Sequence, residues 1–350
     1  MELKFRVSKI ANHFFFVSTL CDWNNSLYRE KTRKEWKTML GALNTNEKKA
    51  IKKLEKILFK YQKSKDKWLH NIFYAYDSEQ KIWEWIKNNY TKEEFNDLKE
   101  VFDVTRGKFD ELWRKIDVKK VEDFCERLKN DYNQGMFSDI PKFIGFKNSD
   151  KLIINIAVCP IVLGMGVAGH AWGNKDAIIN IEFSMADIKE NNILEIALLL
   201  SHEIFHTVFN RTKCLQIFKE EITKNGIDKI MPSSLVLTEF YDRPFVLVEE
   251  AIVTTFSDTF YQLIKYSRAD WLLRRIAKLF DGQGEWVIKK QIIKGKRIER
   301  DGVLIYLGYK VFPVVLDYIY KNKPIDRDLI RLFALNVKEL LSWEKRYKTK

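Results

Sequence analysis

The stretch Ser201-His202-Glu203-Ile204-Phe205-His206 decides how the rest of this chain is read. It carries the pattern H-E-x-x-H and follows Ile193-Leu194-Glu195-Ile196-Ala197-Leu198-Leu199-Leu200, an apolar run without Gly or Pro. Such a run predicts a helix. Asn192 can cap its start, and Glu195 three residues on completes a capping-box pattern. Residues four apart share one helix face, so His202 and His206 can point the same way and grip one ion. Glu203 can reach a water bound to that ion. Two neutral imidazoles for Zn²⁺, with a carboxylate to take a proton from its water, are what a metallohydrolase needs.

The plainer alternative is a pair of satisfied core histidines. By composition, a chain of this length shows the pattern by chance roughly once in a hundred times. Only five His occur in the 350 residues, and two of them are here. Two His and a Glu in a buried helix are costly without a partner such as a metal, which favours the zinc site.

Bulk properties set the frame. The length allows one large domain or two ordinary ones. Hydrophobic residues make up 46% and charged residues 31%, a composition that excludes a disordered chain. The formal net charge of +13 would suit nucleic acid, an anionic membrane or an acidic substrate. Lys dominates, however, and acids are interspersed, which favours a solvated surface. The most basic segment, Lys31 to Lys67, sets 13 Lys and Arg against Glu35, Glu47, Glu55 and Asp66. It reads as a solvated helical hairpin, with nucleic acid as the alternative partner.

Cys21, Cys125, Cys159 and Cys214 form no C-x-x-C pair, so reduced thiols in a cytoplasm are expected. No run is long and apolar enough for a transmembrane helix. Lys4, Arg6 and Lys9 before Phe14-Phe15-Phe16-Val17 loosely mimic a signal peptide, but Asn12 and His13 interrupt it and no cleavage site follows.

In chain order, Leu3, Phe5 and Val7 alternate with polar residues as a half-buried strand does. Phe14 to Leu20 reads as a second strand or a helix start. From Asp22 to Asn133 the texture is helical, with Trp36, Trp68, Trp83, Trp85 and Trp113 marking apolar faces. Gly, Ser, Asn and Pro cluster from Gly135 to Asp150, which sets an expected boundary between residues 1–148 and 149–350. Leu152 to Val158 and Ala177 to Phe183 read as strands, with a Gly-rich loop from Gly164 to Gly173 between them. That loop lacks the phosphate-loop pattern. Arg211 to Arg243 reads as mixed, with loops. Pro244 suits the first position of a helix carrying Glu249-Glu250-Ala251-Ile252. The basic piece Trp286 to Arg300 reads as a strand pair or a broken helix. Two helices close the chain, Val303 to Tyr320, with Pro313 positioned to kink or split it, and Arg327 to Arg346.

A catalytic zinc takes three protein ligands and keeps one position open. No His follows His206, and His13, His70 and His170 all precede the motif. A carboxylate on a second helix would complete a His-His-Glu site.

Glu250-Ala251-Ile252 resembles the E-A-I that carries the third ligand in thermolysin-like enzymes. H-E-x-x-H followed by a helix with a ligating Glu is the arrangement of the gluzincin metallopeptidases. Ile305-Tyr306-Leu307-Gly308-Tyr309 is similar to the segment after the ligand helix in gluzincin aminopeptidases, and in bacterial predicted zinc-dependent protease domains of unknown function. The resemblance covers roughly residues 150 to 320 and leaves the N-terminal helices unassigned. It implies an α+β, mostly helical fold. A zincin-like domain, with a small mixed sheet, an edge strand, an active-site helix and a helical C-terminal part, would follow a helical N-terminal region.

It also implies roles. Zn²⁺ would sit on His202, His206 and Glu250, with Glu249 as the alternative ligand. An acidic pair early in a helix can also simply answer the helix dipole. Glu203 would be the general base. Tyr306 would donate to the oxyanion, with Tyr309 and His170 as alternatives. The strand Ala177 to Phe183 would pair with an extended peptide substrate. Three departures stand out. Thr254 occupies the position where thermolysin-like enzymes place an Asp that steadies a ligand His. Ile305 stands where the aminopeptidases have their Tyr. The exopeptidase motif G-x-M-E-N is missing. The expected function is a cytoplasmic zinc metallopeptidase. The alternative is a catalytically silent zincin fold used for binding or regulation, in one version associated with nucleic acid.

Overall fold

The computed structural model describes residues 1–21, 27–62, 64, 67–76, 78–132, 136–145, 152–161, 168–172, 177–190, 193–230, 244–257, 289–290, 294 and 300–347. Contacts divide the chain into two units, Met1–Asn133 with Lys151–Glu203, and Gln134–Asp150 with Ile204–Lys350. The chain changes unit on either side of residues 134–150 and again after Glu203, inside one continuous helix.

The first unit holds a four-stranded mixed sheet, β1 (Glu2–Arg6), β2 (Ile153–Ile161), β3 (Ala168–Trp172) and β4 (Ala177–Ser184), in the order β1-β2-β4-β3. β1 runs parallel to β2 with Leu3 opposite Ile154, and β2 parallel to β4 with Ile156 opposite Ile179. β3 lies antiparallel on the far side of β4, with His170 opposite Asn180. Two sequence expectations change here. Ala177 to Phe183 is interior, paired on both sides and buried along its whole length. His170 belongs to the edge strand β3, within the segment read as a loop. Ala168-Gly169-His170-Ala171-Trp172 has no β-branched residue to announce a strand.

Helices α1 (Lys9–Leu20), α2 (Leu27–Leu40), α3 (Thr45–Tyr61), α4 (Leu69–Ala75), α5 (Glu79–Asn89), α6 (Lys92–Trp113) and α7 (Val118–Tyr132) complete most of this unit. Phe14 to Leu20 is thus the second half of α1, which starts at a Ser8 cap. Phe14 stacks on Phe73 at 4.3 Å, and Phe73 on Phe102 at 5.2 Å. Ala157, Cys159, Ile161 and Ile178 of the sheet join the same buried cluster. The Arg6 guanidinium donates to the carbonyls of Tyr74 and Ala75, answering the open C-terminal end of α4. A short α9 (Met185–Glu190) follows β4 and precedes α10 (Ile193–Phe209).

The second unit contains α8 (Ser138–Phe143), α11 (Lys213–Lys224), α12 (Pro244–Ser257), α13 (Arg300–Lys310), α14 (Phe312–Tyr320) and α15 (Arg327–Tyr347). α11 lies in the stretch read as mixed, with loops, and Gly226 at φ +67° closes its end. Pro244 opens α12, and Pro313 separates α13 from α14. α12 packs along α13 and α15. Arg327 bridges to Glu220 and to the fully buried Glu221, tying α15 to α11. The expected Asn192 cap, the basic piece Trp286 to Arg300 apart from 289–290, 294 and 300, and residues 164–167 and 173 of the Gly-rich loop lie outside the described residues.

Candidate metal centre

α10 carries the H-E-x-x-H stretch. Its mean character is strongly apolar, and Ile196, Ala197, Leu200, Ile204, Phe205, Val208 and Phe209 are buried. His202 and Glu203 are buried with them, at 7% and 8% exposure. Three polar side chains in such a helix need polar company.

α12 supplies it. Its sequence is apolar apart from Thr and Ser and the adjacent Glu249 and Glu250. No acid lies in its first turn, so the pair does not serve as a dipole cap. One ligand atom from each of His202, His206 and Glu250 lies within 4.8 Å of the others. The two glutamates meet different edges of one ring. His206 Nδ1 donates to Glu249 Oε1 at 2.9 Å. His206 Nε2 lies 3.4 Å from Glu250 Oε1.

That second distance tests the fit of a metal. It is longer than an ordinary N–H···O hydrogen bond. Ligand atoms about 2.1 Å from a tetrahedral zinc lie about 3.4 Å from one another. Two imidazoles and a carboxylate are also a donor set that zinc accepts. The residues present therefore fit a zinc ion. Burial opposes charge on the His206 ring, but the Glu250 and Glu249 carboxylates outweigh it and hold its pKa well above the usual imidazole value. The pocket is thus one that draws positive charge.

Tyr306 is buried at 6% exposure, with its ring 5.7 Å from Trp343 and the Lys310 ammonium 5.8 Å from its centroid. The side chains of Tyr309 and His170 lie outside the described residues. Thr254 is buried one turn beyond Glu250. The contact of Glu249 with Nδ1 was not anticipated from sequence. Its signal was present in two consecutive acids inside an otherwise apolar helix. Glu182 was also missed. It is fully buried in β4 and accepts from Asn180 Nδ2 at 2.9 Å.

No protein-family model, no curated protein and no solved structure matches this chain.

Proposed function

We propose that this chain is a zinc-dependent metallopeptidase of gluzincin type. The observation that carries the reading is the convergence of His202, His206 and Glu250, from two separate helices, within 4.8 Å. A zinc ion held there supplies Lewis acidity and brings a water's pKa toward neutrality. Glu203, next to His202 on α10 and buried, is the general base that takes the proton and returns it to the leaving amine. Its burial keeps bulk water from competing for that proton. β3 replaces the strand expected from sequence as the place for an extended substrate. Among the described residues it is paired on one side only, so its other side can bond a peptide backbone. The four cysteines are buried and none is in a disulfide, which is in keeping with a reducing compartment.

Tyr306 enters the proposal as the donor to the oxyanion. Tyr306→Phe keeps the ring against Trp343 and removes only the hydroxyl. A fall of about 10²–10³ in kcat with unchanged thermal stability supports the role, and full activity removes it.

The deciding experiment combines metal analysis with digestion of a peptide library, using chelator and Glu203→Gln as controls. One zinc per chain, cleavage abolished by chelator, and a loss of about 10²–10⁴ in Glu203→Gln with zinc retained are the expected results. A zinc-loaded wild type that leaves every peptide intact would favour the silent binding protein.

One observation favours a second reading, association with nucleic acid. Lys48, Lys49, Lys52 and Lys56 are exposed along α3 and form no ion pair among the described residues, while Lys53 and Lys60 are held by acids of α6. Phe59 stands out on the same helix at 48% exposure. Retention on single-stranded DNA that weakens steeply with salt would support this reading, and a flat response would dismiss it.

A further inference from the structure

On the metal-centre reading above, we infer that Glu249 is the positioning carboxylate of that centre. It holds His206 by Nδ1 so that Nε2 faces the ligand atoms of His202 and Glu250. The two neighbouring acids of α12 thereby have distinct roles.

Consecutive residues on a helix diverge by about 100°. Glu249 and Glu250 therefore approach one imidazole from two directions. The distances differ in kind. Glu249 to Nδ1, at 2.9 Å, is a hydrogen bond, and a carboxylate can only accept there, so Nδ1 carries the proton. Glu250 to Nε2, at 3.4 Å, has the spacing of two ligands on one ion. For Glu249 to act as ligand it would have to abandon Nδ1. Thr254, one turn past Glu250, offers a neutral hydroxyl and no carboxylate. Glu249 supplies the negative charge that fixes the ring tautomer, sets its orientation and raises the basicity of Nε2.

The test compares the full-length wild type with Glu249→Gln and Glu250→Gln, reading zinc affinity by chelator competition and the visible absorption of the Co²⁺-substituted protein. Glu249→Gln should bind one ion about 10- to 100-fold more weakly. Its cobalt spectrum should keep the wild-type tetrahedral bands, because no ligand is lost. Glu250→Gln should weaken binding further and change those bands. Wild-type affinity in Glu249→Gln overturns the inference. So does a reversed pair, in which Glu249→Gln changes the bands and Glu250→Gln does not. A wild type that binds no zinc sinks the metal centre itself, a separate outcome. Should Glu249→Gln fail to fold, the zinc-loaded wild type still decides by NMR. A downfield, slowly exchanging Nδ1 proton on His206 is expected, and a fast-exchanging one counts against the bond to Glu249.

Discussion

His13 and His206 are both largely shut away from water, and their neighbours set opposite outcomes. Around His206 two carboxylates favour the charged ring. His13 sits on α1 with its ring stacked 4.3 Å from Phe109, and Nε2 donates to Thr105 Oγ1 at 3.0 Å. The Thr105 hydroxyl donates onward to the Val101 carbonyl. Burial, then the nearby positive charge of Arg106, lower the His13 pKa to about 3, with Asp110 opposing and Lys9 adding. The unfolded chain takes that proton near pH 6.5, and the folded one does not until about 3. Between those values the unfolded state binds more protons, so stability is lost as the pH falls, by up to about 1.4 kcal/mol per pH unit. His13→Gln should flatten the dependence of the urea midpoint on pH between 6 and 4. Parallel slopes for the two proteins would sink this account. At this scale the pattern in the sequence reached far but unevenly. That His202 and His206 lie together follows from spacing alone, and that Glu250 joins them was suggested by its Ala-Ile context. The contact of Glu249 did not follow, because which ring edge it meets depends on how α12 approaches α10. That His13 would stack in a core was equally hidden, since Phe102, Phe109 and Thr105 against it lie about 90 residues away on α6.

Elements were legible where a local rule governs them. Alternation announced β1, Pro244 the start of α12, and Pro313 the break between α13 and α14. They were illegible where pairing supplies the structure, as in β3, or where polar residues mask a short amphipathic helix, as in α11. α6 shows how one residue can serve an element and its neighbour together. Glu94 closes a capping box with Thr91 and also accepts from Lys60 at 2.7 Å and from the Tyr61 hydroxyl at 3.2 Å, both on α3. Burial raises the Glu94 pKa, but the bonds from Lys60 and Thr91 outweigh it and leave the pKa below the ordinary value. A depressed carboxylate stabilises the fold above the pKa of the unfolded chain, and that contribution fades as acid protonates it. Glu94→Gln should therefore cost about 1–2 kcal/mol at pH 7, with a smaller gap to wild type below pH 4. Chemical denaturation at the two pH values measures this. A gap that is equal or wider in acid contradicts the assignment.

Over the whole chain, the sheet ties together segments that composition sets apart. The Gly- and Pro-containing stretch from 135 to 150 separates a helical texture from a strand-rich one, and that contrast suggested a domain starting at 149. β1, however, lies at the extreme N-terminus and pairs with β2 from Glu2↔Ile153 to Arg6↔Ala157. One face of β2 and β4 gives Ala157, Cys159, Ile161 and Ile178 to the cluster built by Phe14, Phe16, Phe73 and Phe102. Sequence-local signals cannot report such pairing, because its partners are about 150 residues apart. The consequence is testable. A fragment of residues 149–350 would lose the strand beside β2 and uncover an apolar sheet face that α1 and α4 cover in the full chain. Exposed strand edges and apolar sheet faces drive association. The fragment should aggregate or bind a hydrophobic dye, and should show no cooperative thermal transition, while retaining H-E-x-x-H and Glu250 intact. Adding residues 1–133 in trans should recover part of the transition, since β1, α1 and α4 all lie in that piece. A fragment that is monomeric and melts cooperatively by itself would show that the sheet needs neither β1 nor the aromatic cluster.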